Sequence, residues 1–291
     1  MNFKKSIPIL DWLPKYKKSY LKNDIVGGIT VGIVLIPQGI AYALIAGLPP
    51  IYGLYCALIP QIIYAIFGTS QQVSVGPVAM DSLIVAAGVS TLAVTGTENY
   101  ITIAILLAFL VGSIQLIMGL FSLGFIVNFL SKPVITGFTS AVAITIGINQ
   151  FRNLFGVNFI QSDQIQFVIK DVFLKLNEAD VYTTILGILS IAIIIGLKRI
   201  NRKIPNAVVV VIIGIVLMKF FGSNFSSIAI VKEIPSGLPN FSFPNLEMGL
   251  LKTLLPIALT LAMVGYLETI SIGKSLEATQ DEYRIRPNQE L

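Results

Sequence analysis

The sequence contains no histidine and one cysteine, Cys56. Those shortages exclude disulfide frameworks, haem ligation, Cys/His zinc sites and His-dependent catalysis inside a membrane, so neither a metal nor a cofactor is expected. Charge is also scarce. Only 12% of the 291 residues are Asp, Glu, Lys or Arg, against about a quarter in soluble globular domains. So apolar a chain is neither disordered nor built to bind nucleic acid. Hydrophobic residues make up 55% of it, its mean hydropathy is +0.83, and its long apolar runs match the roughly 20 residues needed to cross a bilayer. The expectation is an all-α polytopic membrane protein whose first partner is the lipid bilayer.

Residues 25–80 carry no charged side chain, a stretch too long for one crossing. Gly47, Pro49 and Pro50 break it, giving predicted spans at 25–46 and 51–67. A third apolar segment runs over 73–94, and further spans are predicted at 100–120, 133–150, 182–197, 204–221 and 253–273, about eight in all. The long connections at 152–181 and 222–252 read as loops outside the bilayer. The first 22 residues mix six lysines with Pro8, Pro14 and Trp12 and build no apolar signal core.

With the amino end in the cytosol, the cytosolic side of this arrangement holds fourteen of the twenty Lys and Arg residues. Short cytoplasmic loops carry the basic excess in membrane proteins. The net charge of +5 is therefore accounted for by both termini facing the cytosol, without an anionic macromolecular partner.

Polar groups inside apolar spans carry the functional information. In the third segment, Gln71, Gln72, Val73, Ser74 and Val75 suit a short extended stretch. Gly76 and Pro77 follow, and then a helical pattern resumes. Proline is favoured at the first position of a helix, so Pro77 is expected to start a half-helix within the membrane. Its free N–H groups and positive dipole end would form an anion site. The competing reading makes 68–72 a cytosolic loop and Gly76-Pro77 an ordinary interfacial helix start. Asp81 lies in the first turns and is expected to point away from a bound anion or to cap.

In the first span, Pro37, Gln38 and Gly39 interrupt an aliphatic helix and place an amide near mid-membrane. Tyr42 falls one turn later on the same face. Gln38 is a candidate anion donor; the competing reading makes it glue between helices. In the last span, 253–267 is too short to cross, and extending it to residue 273 encloses Glu268. A carboxylate in such a segment is costly, by roughly 2.5–3.5 kcal/mol on insertion scales for Asp, and usually faces a pathway or a partner. Glu268 is thus a candidate proton-coupling group, the alternative being an interfacial acid near the inner headgroups. Lys274, six positions on, does not share its helical face.

Taken together these segments resemble the sulfate permease (SulP) family of anion transporters. Ile33-Val-Leu-Ile-Pro-Gln-Gly-Ile-Ala-Tyr-Ala43, followed by Gly47-Leu-Pro-Pro-Ile-Tyr-Gly-Leu-Tyr55, is similar to the family's amino-terminal signature, which runs on through Phe67-Gly-Thr-Ser70 and Val73-Ser-Val-Gly-Pro77. Gly265-Tyr-Leu-Glu-Thr-Ile-Ser-Ile-Gly-Lys274 resembles the family's eighth span, and Pro287-Asn-Gln-Glu-Leu291 the segment after it.

The resemblance implies fourteen segments in two inverted repeats of seven, of which this chain holds the first repeat and the start of the second. It also implies that half-helices three and ten meet end to end, and that a mobile core moves against a gate domain. By position, Gln38 with Tyr42, and Ser74, Val75, Gly76, Pro77 and Val78, look like the anion-binding residues, and Glu268 like the acid of proton-coupled sulfate carriers. Family members continue for further spans and usually end in a cytosolic STAS domain. This chain is therefore expected to be truncated, with a cytosolic tail at 1–23, an incomplete transporter domain at 24–275, a cytosolic segment at 276–291 and no STAS domain.

The function expected of the complete protein is secondary active symport of sulfate or a related inorganic anion with protons across the cell (inner) membrane. The resemblance also suggests a homodimer. The alternatives are a bicarbonate, oxalate or dicarboxylate carrier of the same family, a nucleobase carrier on the same general fold, or a non-transporting membrane subunit if the chain is complete. An enzyme is not expected, because no nucleophile–base pair is visible.

Overall fold

The protein is described from a computed structural model, which covers residues 7–125, 165–201, 206–221, 246–277 and 284–291. It also covers 137, 140, 141, 144, 147, 148, 150, 151, 154–157, 228, 234–239, 243 and 244. The described secondary structure is helical, as expected of an all-α membrane protein. After a short helix α1 (Ile9–Trp12) come α2 (Lys18–Ile45), α3 (Pro50–Phe67), α4 (Ala79–Val89), α5 (Glu98–Leu120), α6 (Ile165–Lys175), α7 (Val181–Ile200), α8 (Asn206–Phe221) and α9 (Met248–Glu277). Five of these, α2, α3, α5, α7 and α9, are long and apolar enough to cross a membrane, while α4 and α8 are shorter apolar helices. The predicted span at 133–150 falls largely outside the described residues, as do 158–164 of the first long connection and about half of the connection at 222–252.

The chain divides into two compact units. The first comprises Met1–Asp24, Leu35–Thr139 and Pro235–Leu291. Its core forms where α4, α5 and α9 meet, with Val89, Tyr100, Leu106, Leu107, Leu254 and Ala258 fully buried. Tyr100 carries a hydroxyl into that core, and it donates to the Ala46 carbonyl at 2.6 Å, satisfying the end of α2. Gly47 makes the following turn at φ +76°, and a side chain there would collide with Thr95 and Tyr100. Helix α5 starts at Thr97, whose hydroxyl accepts from the Tyr100 N–H at 3.2 Å. A second apolar cluster joins Tyr266 and Ile270 of α9 to Ile285 and Leu291.

Helices α2 and α3 touch through main chain. A Cβ on Gly53 would lie 1.9 Å from the Gly39 carbonyl oxygen, and one on Gly39 would lie 2.9 Å from that of Gly53. Small residues permit this approach where lipid supplies no hydrophobic drive between helices.

The second unit comprises Ile25–Val34 and Ser140–Ile234. Its helix α7 is capped by Asp180, which accepts from the Thr183 N–H at 2.7 Å, and Lys198 and Arg199 sit in the last turn, where cations suit the dipole. It buries none of its residues. Ile185, Ile188 and Ile195 stay exposed, as befits a surface bathed in hydrocarbon. Asn206 of α8 donates to the Ile194 carbonyl of α7 at 3.4 Å. The 152–181 stretch is not simply a loop. It contains α6, an amphipathic helix with Phe167, Phe173 and Leu174 exposed and Val168 buried. Its polar residues masked an 11-residue periodicity too short to register as a span.

Candidate functional site

The predicted site residues lie on α2, on the segment before α4, and on α9. In α2, Pro37 sits inside a continuous helix; lacking an N–H, it leaves the Ile33 carbonyl without its usual helical partner. One residue later, the Gln38 amide is half-buried and its Nε2 donates to the Tyr42 hydroxyl at 3.3 Å. The i, i+4 spacing thus joins the two residues, and the phenol holds the amide in one orientation.

Between α3 and α4 the chain is non-helical for eleven residues, from Gly68 to Val78. The Ser70 hydroxyl accepts from the N–H groups of Gln72 and Val73 at 3.3 and 3.2 Å, folding the turn. Ser74 is exposed, and its hydroxyl accepts a short hydrogen bond from the Gln61 amide of α3. Val75, Gly76, Pro77 and Val78 are half-buried. Leu35, one turn before Gln38, lies against Gly76, within 3.7 Å of where a Cβ would stand. The extended segment before α4 therefore meets α2 one turn ahead of Gln38.

Helix α4 begins at Ala79, two residues beyond Pro77, which lies ahead of the N-cap rather than at the first helical position. Val78, extended at φ −124° and ψ 153°, is the N-cap and offers no side-chain hydrogen bond. The first N–H groups of α4 thus lack a side-chain cap, as well as the intrahelical partners that no helix start has. With 11 residues, α4 is about 16 Å long, half of a hydrocarbon core of about 30 Å.

Asp81, two positions into α4, does not cap. Its Oδ1 is buried with no hydrogen-bond partner among the described residues, and its Oδ2 lies 3.8 Å from where a Gly265 Cβ would stand on α9. Gln115 of α5 approaches the same glycine and donates to the Ala262 carbonyl at 3.2 Å. Glu268 is three residues beyond Gly265, on the same face of α9. It is half-buried, one turn along α9 from the glycine that Asp81 approaches. Among the described residues no basic side chain pairs with Glu268.

Three contributors escaped the sequence reading. Gln61 was visible as a lone amide in an apolar span. Asp81 gave a signal only through its charge, which is expected to point away from a bound anion or to cap; it does not cap and lies towards α9. Glu290 lay in a motif to which no role was given; its carboxylate accepts from Tyr64 and Thr69.

An all-helical membrane protein with a half-length helix entered through extended chain, which meets a helix carrying an internal proline, has elements from which membrane carriers build midplane sites. Residues 21–291 match the sulfate permease family, and the chain belongs to that family. Sulfate transporter 4.1, chloroplastic, of Arabidopsis thaliana is 39% identical over 293 residues, covering 98% of this chain and 42% of that protein. The sodium-independent sulfate anion transporter of Bos taurus is 35% identical, covering 99% of this chain and 52% of that protein. The chain spans about half the length of the curated relatives it matches.

Among solved structures, murine Solute Carrier 26 family member A9, an anion transporter in the inward-facing state, superposes with a TM-score of 0.81 at 27% identity, covering 98% of this chain and 51% of that one. The transmembrane domain of the cyanobacterium bicarbonate transporter BicA shares the fold, with a TM-score of 0.76 at 21% identity over 94% of this chain and 70% of that one.

Proposed function

We propose that the full-length protein is a secondary active transporter of sulfate or a related inorganic anion, driven by protons that bind Glu268. The observation that supports this most is the start of α4. A half-length helix there presents N–H groups without a side-chain cap, and the extended segment leading into it meets α2 at Leu35, one turn before Gln38, in a chain of the sulfate permease family. Main-chain N–H groups at a helix start and one neutral amide suit an oxyanion, since they stabilise negative charge without placing a full positive charge in hydrocarbon. In this reading Ser74 to Val78 form one wall of the site, Gln38 and Tyr42 of α2 another, and Glu268 stands on α9, one turn from the glycine that Asp81 approaches.

In this reading residues 24–275 belong to a transporter domain built from two inverted repeats, with its amino-terminal tail in the cytosol. The protein sits in the cell membrane and functions as a homodimer. Full-length protein in proteoliposomes is expected to take up labelled sulfate saturably, and faster under an inward proton gradient. Glu268→Gln, which cannot exchange the proton, is expected to remove the gradient dependence. Uptake with unchanged rate and pH profile in that variant would overturn the coupling role. Faster uptake of bicarbonate or a dicarboxylate than of sulfate would reassign the anion while leaving the site in place.

A further inference from the structure

The short segment Arg284–Leu291 would ordinarily be read as a connection leaving α9. Instead it is fastened to three helices of its own unit. The Asn288 Oδ1 accepts from the Gly124 N–H at 2.7 Å just beyond α5, and Tyr266 of α9 donates to the Gly124 carbonyl at 2.9 Å. Ile285 is buried against Tyr266 and Ile270, so close to α9 that a Cβ on Gly273 would lie 2.3 Å from its Cδ1. Gln289 donates to the Phe67 carbonyl at the end of α3 at 3.1 Å.

The strongest attachment is Glu290. Its Oε2 accepts from the Tyr64 hydroxyl at 2.8 Å, and its Oε1 accepts from the Thr69 N–H at 2.8 Å and, by a short bond, from the Thr69 hydroxyl. The Thr69 hydroxyl oxygen in turn accepts from the Arg286 N–H at 3.2 Å. Ser70, hydrogen-bonded to the Tyr64 phenol, is buried like Thr69. A carboxylate receiving three donors in a half-buried setting makes charge-assisted bonds, roughly twice as strong as neutral ones. These bonds end on Thr69 and on its neighbour's partner Tyr64, at the turn from which the extended segment 71–78 sets out. Because the Ser70 hydroxyl holds the N–H groups of Gln72 and Val73, displacing the turn displaces the start of that segment.

We propose that Glu290 is a positioning residue for the anion site, clasping the Thr69–Ser70 turn so that Ser74 to Val78 and the start of α4 are held in place. This rests on the transport reading above. The test uses the full-length protein carrying Glu290→Ala, Glu290→Gln and Tyr64→Phe. Each is measured twice: by hydrogen exchange of peptides covering residues 68–78, and by half-saturation and maximal rate for labelled sulfate in proteoliposomes. Glu290→Ala is expected to speed exchange across 68–78 and to raise half-saturation about tenfold, with a smaller change in maximal rate per folded protein.

Glu290→Gln keeps one acceptor oxygen for Thr69 and is expected to recover most of both effects. Tyr64→Phe removes one donor, leaves the carboxylate on Thr69, and is expected to raise half-saturation about threefold. It keeps the test alive if the alanine variant does not fold. Unchanged exchange at 68–78 in every folded variant overturns the clasp. Faster exchange with unchanged half-saturation overturns the positioning role. Wild-type protein that takes up no sulfate overturns the transport reading instead, and the exchange data then decide the clasp alone.

Discussion

Single residues decide how closely the elements of the first unit approach. Gly53 is the clearest case. With the Gly39 carbonyl oxygen 1.9 Å from an added Cβ, Gly53→Ala must push α2 and α3 apart, and overpacking of this kind costs about 1–3 kcal/mol or more. Gly32, with nothing within 4 Å of an added Cβ, is the control: Gly32→Ala is expected to be neutral or to stabilise by up to about 1 kcal/mol through helix propensity. Thermal unfolding of the two variants in detergent, read by size-exclusion recovery after heating, should separate them clearly. At Gln38 the amide is oriented by Tyr42, and Gln38→Ala is expected to raise half-saturation for sulfate about tenfold, the worth of one hydrogen bond to a charged group. Equal half-saturation in the two proteins would make Gln38 a packing residue. The sequence showed Gln38 and Tyr42 on one face because helical spacing is local. It could not show that Asp81 turns towards α9, since that depends on which helix lies opposite.

At the scale of elements, the spans were legible wherever an apolar run was long and broken by Gly or Pro. Helices α2, α3, α5, α7 and α9 fall on predicted spans, and the Gly47-Leu-Pro-Pro turn separates α2 from α3 as its composition requires. Boundaries were less legible. Helix α9 begins at Met248 and continues to Glu277, enclosing Lys252 and Lys274, because a helix persists into the headgroup region beyond its hydrocarbon-facing part. The start of α4 moved from Pro77 to Ala79 because the extended backbone of Val78 serves as the N-cap. Helix α6 went unseen: 11 residues with Lys170, Asp171 and Lys175 among the apolar ones read as a loop when judged by hydropathy alone. Its exposed Phe167, Phe173 and Leu174 suit the bilayer interface. In Phe173→Trp in a background with Trp12 replaced by Phe, emission is expected to be blue-shifted in liposomes and quenched more by lipids brominated near the glycerol end of the chain than near its tip. Emission at the wavelength of a water-exposed indole would place α6 outside the interface.

For the whole molecule, composition gave the class, and the distribution of basic residues predicts a direction. Fourteen of twenty Lys and Arg residues fall on one side of the predicted spans, so a cysteine placed at Lys15, with Cys56 replaced by Ser, is expected to react with a membrane-impermeant maleimide only after permeabilisation of the cell. Labelling of intact cells would reverse the orientation. The fold is easier to read than its use, because hydrophobicity declares itself in every residue while a binding site is declared by a few. The start of α4 shows where that asymmetry leads. Its donors are main-chain groups without a side-chain cap, and no point substitution except one to proline deletes a main-chain N–H. Short of a proline, such a set of donors survives sequence drift, so in the proposed site a change of preferred anion would have to come from the side chains around it.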